Sequence, residues 1–218
     1  YFREVLRLEL GKLLNEKNMD GNYVIHKSSG EKYDLYSDGL KIYTTIDSKM
    51  QKHAELAVQT HFKNYLQKAF DKNNSKCKSP PFSNDLSASQ IDTILERAVR
   101  QSMFYKKLIG KTCSYCERPS KYLQSSKKGH ECSYCGTISP ILTQLEINTK
   151  LNQKRKMKVF DWSFENYEKD TFFSVKDSVR YYKGLLRSGL MSMNPHNGQI
   201  KAWVGGANFK HFKYDMVS

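Results

Sequence analysis

Apolar positions along this chain fall into short helical runs, separated by polar, turn-rich stretches and a few alternating segments. Phe2, Val5, Leu6, Leu10, Leu13 and Leu14 recur at intervals of three and four, predicting a helix within residues 1–17. Gly11 weakens its interior without breaking the pattern. Asp20-Gly21 and Ser28-Ser29-Gly30 punctuate a turn-rich connection. Leu40, Ile42, Thr44 and Ile46 then alternate with Lys41, Tyr43 and Thr45, as in a half-buried strand. Asp47 offers a capping carboxylate to a helix carrying Met50, Ala54, Ala57, Val58, His61, Phe62, Tyr65, Leu66 and Ala69. From Ser48 to Phe70 that helix would span roughly 35 Å, enough to brace two domains. His53 and His61 on it read as surface or packing residues.

Asp71 to Asn84 is a loop, with Pro80-Pro81 marking a boundary. Ser87 and Gln90 form a capping box for a helix to about Leu108, with Ile91, Ile94, Leu95 and Ala98 inside. Gly110 is placed to end it in the left-handed conformation. Ser139-Pro140 is expected to open a short helix through about Ile147. Lys156 to Trp162 reads as a strand, with Phe160 and Trp162 as core residues. Ser174 with Asp177 caps a helix containing Val175, Val179, Tyr182, Leu185 and Leu186, closed by Gly189. Leu190–Met193, the turn residues Asn194-Pro195-His196-Asn197-Gly198 and the alternating Gln199–Val204 read as a β-hairpin. Ile200, Ala202 and Val204 share one of its faces. One hairpin is marginal alone, so it is expected to start a larger sheet that is truncated here. The fold class is α+β: helices with short strands, a small cysteine module and a C-terminal hairpin.

The 218 residues carry 36 Lys and Arg against 22 Asp and Glu, a formal charge of +14. That balance favours anionic partners without choosing among nucleic acid, acidic headgroups and phosphorylated substrates. The apolar share of 39% points to a modest core. No uninterrupted apolar stretch approaches membrane-spanning length. Lys150 to Lys158 is a basic run that reads first as solvated surface and second as a phosphate grip.

The strongest chemical signal is Cys113-Ser114-Tyr115-Cys116 repeated as Cys132-Ser133-Tyr134-Cys135. Two C-x2-C knuckles at this separation have zinc-ribbon spacing, and four thiolates complete a tetrahedron around Zn²⁺. Gly136 suits the turn after the second knuckle. The sequence between the knuckles is polar, with Tyr122 and Leu123 as exceptions, so it needs a staple. Two disulfides are the alternative under oxidising conditions, and a redox dithiol is a third reading. A catalytic zinc is not expected, because four cysteines leave no open position. His130 is a substitute ligand candidate, and Cys77 a spare thiol in a loop.

Other motifs carry less. S-x-x-K occurs at Ser29/Lys32, Ser75/Lys78 and Ser125/Lys128, a number that chance supplies in a chain this rich in Ser and Lys. Each sits in a polar loop, unlike an acyl-transfer serine with its buried lysine and oxyanion hole. Gly110-Lys111-Thr112 lacks the first P-loop glycine, since Tyr105 stands there.

Two blocks carry a resemblance. MSMNPHNGQIKAWVGGANF (Met191–Phe209), followed by FKYDMV (Phe212–Val217), looks like the opening of a transpeptidase domain. GLKIYTTIDSKMQKHAELAV (Gly39–Val58) resembles the segment that precedes it in the same proteins. Those proteins are the class A penicillin-binding proteins, bifunctional peptidoglycan synthases, and the blocks stand here in the family's order. The resemblance implies an interdomain linker at 1–79, an inserted module at 80–172 with knuckles at 113–135, and the start of the transpeptidase domain at 173–218. In the family the nucleophilic serine follows the FKYDMV-like stretch in an S-x-x-K motif, so this chain is expected to hold no catalytic and no cofactor-binding residue. The implied partners are the glycosyltransferase and transpeptidase domains of the parent protein, peptidoglycan precursors through it, and a protein partner at the inserted module. The implied location is the extracytoplasmic face of a bacterial inner membrane, with the anchor outside these residues. The competing reading is a basic zinc-ribbon protein that binds nucleic acid.

Overall fold

The computed structural model describes residues 1–218, which fold as mixed α and β in two compact units. One unit joins Tyr1–Tyr65 to Arg187–Ser218; the other is Leu66–Leu186. The first contains helix α1 (Phe2–Leu13), helix α2 (Ser48–His61) and the hairpin β6 (Leu190–Met193) with β7 (Ile200–Val204). The hairpin forms as its pattern predicts, with Leu190 opposite Val204 and Ser192 opposite Ala202. Ala202 and Val204 are buried on the predicted face, while Gly198 takes the left-handed conformation in the turn. Asp47 caps α2 as expected, accepting from the backbone N–H groups of Lys49 and Met50 at 2.9 Å each.

The alternating Leu40–Ile46 does not form the expected strand. It stays outside regular structure and largely exposed, because alternation makes a strand only where a complete hydrogen-bond ladder meets it. Its end instead bonds β7 piecemeal: the Thr45 hydroxyl donates to the Ile200 carbonyl at 2.7 Å, and the Asp47 N–H to that of Lys201 at 2.9 Å. Residues after β7 fold back over the hairpin. The Trp203 indole N–H donates to Asp215 at 2.9 Å, the Met216 N–H to the Gly205 carbonyl, and the Tyr1 hydroxyl to that of Phe212.

The long helix expected from Ser48 to Phe70 is interrupted. A π-helical turn, Phe62–Leu66, separates α2 from α3 (Gln67–Asn74). One extra residue per turn rotates the following face, so Gln67 rather than Leu66 turns inward. Gln67 is 5% exposed and Leu66 37%. The buried amide is fully used: Nε2 donates to the Gly184 carbonyl and to Asp71, both at 2.8 Å, and Oε1 accepts from the Leu186 N–H at 3.0 Å.

In the second unit, α4 (Ala88–Gln101) starts at the predicted Ser87–Gln90 capping box. It ends early, at Ser102, whose extended backbone and hydroxyl recap a separate α5 (Met103–Leu108). Ile91 and Leu95 pack on Phe82, with Leu86, Ile94 and Val179 around them. Between α5 and the next helix lies a small antiparallel sheet, β1 (Leu123–Ser126), β2 (Gly129–Cys132) and β3 (Ile138–Ser139), in the order β1-β2-β3. Ser139 therefore lies in a strand and opens no helix. The helix α6 (Gln144–Asn152) begins instead at Thr143, which forms a capping box with Glu146. Thr143 satisfies two orphan donors reciprocally, which Pro140 cannot do.

β4 (Arg155–Phe160) matches the predicted strand but pairs along its whole length with β5 (Glu168–Phe173), which the sequence pattern did not reveal. Phe160 and Trp162 are core residues as expected, with rings edge to face at 4.9 Å. The capping box of Ser174 and Asp177 opens α7 (Val175–Lys183). That helix stops at Gly184, five residues before the predicted Gly189, because Gln67 takes up the Gly184 carbonyl and the Leu186 N–H in place of further helical bonds.

Candidate metal centre

The four cysteines of the two knuckles converge. The sulfurs of Cys113, Cys116, Cys132 and Cys135 all lie within 4.8 Å of one another. Two of the approaches run between knuckles, Cys113 to Cys135 and Cys116 to Cys132, each at 3.6 Å. All four are free thiols. A tetrahedral ion bonded to sulfur at about 2.3 Å sets its ligands about 3.8 Å apart, so the group can hold a metal ion with little movement.

Each knuckle is built the same way, which explains why two distant tetrapeptides aim at one point. The Glu117 N–H donates to the Cys113 carbonyl at 3.2 Å, and the Gly136 N–H to that of Cys132 at 2.8 Å. The Cys113 N–H donates to the Arg118 carbonyl and the Cys132 N–H to that of Thr137, at 2.9 and 3.0 Å. The turn requires positive φ after the second cysteine: Gly136 sits at 72° and Glu117 at 60°. Gly136 is the predicted turn glycine. Glu117 occupies the same conformation with a side chain that disfavours it, and the carboxylate pairs with Lys107 at 2.9 Å.

The thiols are not equivalent. The Arg118 N–H favours the thiolate of Cys116, but burial and the three neighbouring sulfurs outweigh it and push the thiol up to about 12. Cys135 is held down at about 6, chiefly by its hydrogen bonds with the Thr137 hydroxyl, 3.3 Å away, and the Thr137 N–H. Without a cation, four thiolates this close cannot all be charged.

His130 does not join the sulfurs. It pairs across β1 and β2 with Ser125, whose hydroxyl lies 2.9 Å from Nδ1. The other side of its ring lies against Gly110, where a Cβ would come within 2.3 Å of Nε2. Gly110, at φ 67°, is thus fixed both by the predicted helix end and by this ring. Cys77 stands apart from the cluster. Arg118 escaped the sequence reading: its guanidinium lies 3.6 Å from the Tyr134 ring centre and 5.0 Å from that of Tyr122. The repeated C-S-Y-C tetrapeptide was the signal that could have drawn attention to Tyr134.

The S-x-x-K serines are all exposed and engaged elsewhere. Ser75 donates to the Lys72 carbonyl, Ser125 meets His130, and Lys32 bonds Asn15 rather than Ser29. The basic run keeps Lys154, Lys156 and Lys158 exposed, and Arg155 lies over the Phe104 ring at 3.9 Å. No helix of the chain is long and apolar enough to cross a membrane.

Residues 142–186 match the family model of the penicillin-binding protein middle domain. The match covers α6, β4, β5 and α7, roughly a fifth of the chain, and leaves the cysteine module outside it. It supports a penicillin-binding protein family for this chain. No curated protein and no solved structure matches.

Proposed function

We propose that this chain is the noncatalytic interdomain part of a bifunctional peptidoglycan synthase of the class A penicillin-binding type, where it positions a glycosyltransferase and a serine transpeptidase domain. One observation carries this reading. The two sequence blocks that resemble the family are hydrogen-bonded to each other in the first unit, through Thr45, Asp47 and Gln51 to Ile200, Lys201 and Trp203. The middle-domain match stands between them in sequence, so three family-like segments follow in one order.

On this reading the chain works at the extracytoplasmic face of a bacterial inner membrane, anchored by a helix outside these residues. Its partners are the two catalytic domains, and peptidoglycan precursors meet it through them. The cysteine module faces a further protein, a role supported by the exposed Tyr115, Tyr134, Ile138 and Ile141. The nucleic-acid reading is not favoured, since it leaves the middle-domain match without an account.

The test is fluorescent penicillin labelling of the whole gene product beside this 218-residue chain. The gene product is expected to take the label and to polymerise lipid-linked disaccharide; the chain alone is expected to do neither. A gene product that penicillin does not label overturns the reading.

A further inference from the structure

We propose that Cys113, Cys116, Cys132 and Cys135 form a closed tetrathiolate site for one zinc ion, and that this ion is the folding core of residues 112–139. The site's chemistry stands independently of the synthase reading.

The packing of the module points to it. Between Thr112 and Ser139 the buried residues are Thr112, Cys113, Gly129, Cys132 and Ser139. No aliphatic or aromatic side chain is among them; Cys113 and Cys132, at 0% exposure, are what the three short strands close upon. Tyr115, Tyr134 and Ile138 point outward. A sheet of strands four, four and two residues long has too little apolar area to fold around itself. A metal bound to sulfur supplies the missing free energy directly.

The geometry selects among occupants. Four sulfurs within 4.8 Å fit one ion, and a multi-iron cluster would need them further apart. Cross-linking in pairs would give S–S bonds of about 2.05 Å, so each 3.6 Å approach would have to close by more than an ångström and the shared centre would be lost. With all four positions taken by thiolate, no place remains for water or substrate, which makes the ion structural. Binding forms four Zn–S bonds and releases the thiol protons to solvent; no electron moves. The resulting centre carries −2, and the backbone N–H of Arg118, two residues beyond the first knuckle, donates to Cys116.

The experiment uses the whole chain, purified under reducing conditions, stripped of metal and titrated with Co²⁺. The expected result is one Co²⁺ per chain, with tetrahedral d–d absorption and thiolate charge transfer that both vanish when one equivalent of Zn²⁺ is added. Cys116→Ser should weaken Co²⁺ binding by at least about a hundredfold, while Cys77→Ser leaves it unchanged. Because the first variant can also disturb folding, the wild-type spectrum decides. Absence of a stoichiometric tetrahedral spectrum overturns the site. So does a chain that, isolated without reductant, carries two disulfides among these cysteines and takes up no metal after reduction. A single redox-active iron in the freshly isolated protein overturns the assignment to zinc.

Discussion

Gln51 pairs with the backbone of Trp203 as if it were a residue of a neighbouring strand. Its Oε1 accepts from the Trp203 N–H at 2.7 Å, and its Nε2 donates to the Trp203 carbonyl at 3.0 Å. With Thr45 and Asp47 bonded to the same side of β7, the outer edge of the hairpin is closed by a helix start and its cap. An open edge would invite pairing with another chain. Gln51→Ala should cost about 1–3 kcal/mol, the penalty of leaving partly buried backbone groups unpaired. Amide exchange at Trp203 should accelerate more than at Leu190, and equal acceleration at both would refute the edge role.

Gln67 plays the matching part in the second unit, where it fills the gap left by the end of α7. Gln67→Leu keeps the volume and removes three hydrogen bonds, so a loss of about 2–3 kcal/mol is expected in denaturant unfolding. A neutral outcome would mean that apolar packing alone holds this position.

The two knuckles predict opposite effects at equivalent positions. Glu117→Gly relieves a side chain at φ 60° and should stabilise by at most about 1 kcal/mol, reduced by the added freedom of the unfolded glycine and by loss of the half-exposed pair with Lys107. Gly136→Ala should cost about 1 kcal/mol from backbone strain alone, with open space around the added methyl. Gly110→Ala should cost more than Gly136→Ala, because the same strain is joined by collision with His130. Thermal melting of the three variants checks the order.

Alkaline pH should unfold the chain through Tyr181 and Tyr182. The Tyr181 hydroxyl donates to the Phe160 carbonyl at 2.8 Å, and the Tyr182 hydroxyl accepts from the Phe160 N–H at 3.2 Å. Burial raises both phenols above their ordinary value of 10.0, and Asp161 raises Tyr181 further. A raised folded value means that the stabilisation is complete below pH 10 and is lost as pH rises above it. Tyr181→Phe should lower stability at neutral pH and flatten the decline above pH 10. An unchanged alkaline slope in that variant would contradict this account.

Leu95 is fully buried between Phe82 and Ile91, and Leu95→Ala should cost about 2–5 kcal/mol by urea unfolding. The α4 capping box makes a separate contribution. Ser87→Ala should cost about 1 kcal/mol, because the Gln90 N–H loses its acceptor.

The sequence by itself determined what is local. Capping boxes at Ser87 and Ser174, the cap at Asp47, the hairpin turn around Gly198 and the paired C-x2-C knuckles are each written within a few residues, so their hydrogen bonds are fixed by short spacing. The sequence missed Thr143 because Ser139-Pro140 offered a competing start signal nearby. Only the tertiary structure decided the rest. It turned Leu40–Ile46 away from a strand, since an alternating segment takes its conformation from the ladder it meets. It put a π turn before Gln67 and so buried an amide where periodicity called for Leu66. It also brought Cys113 and Cys116 against Cys132 and Cys135, which spacing made plausible and three antiparallel strands made real. Partners distant in sequence leave no periodic mark, and the energy that selects them is paid out only when the surfaces meet.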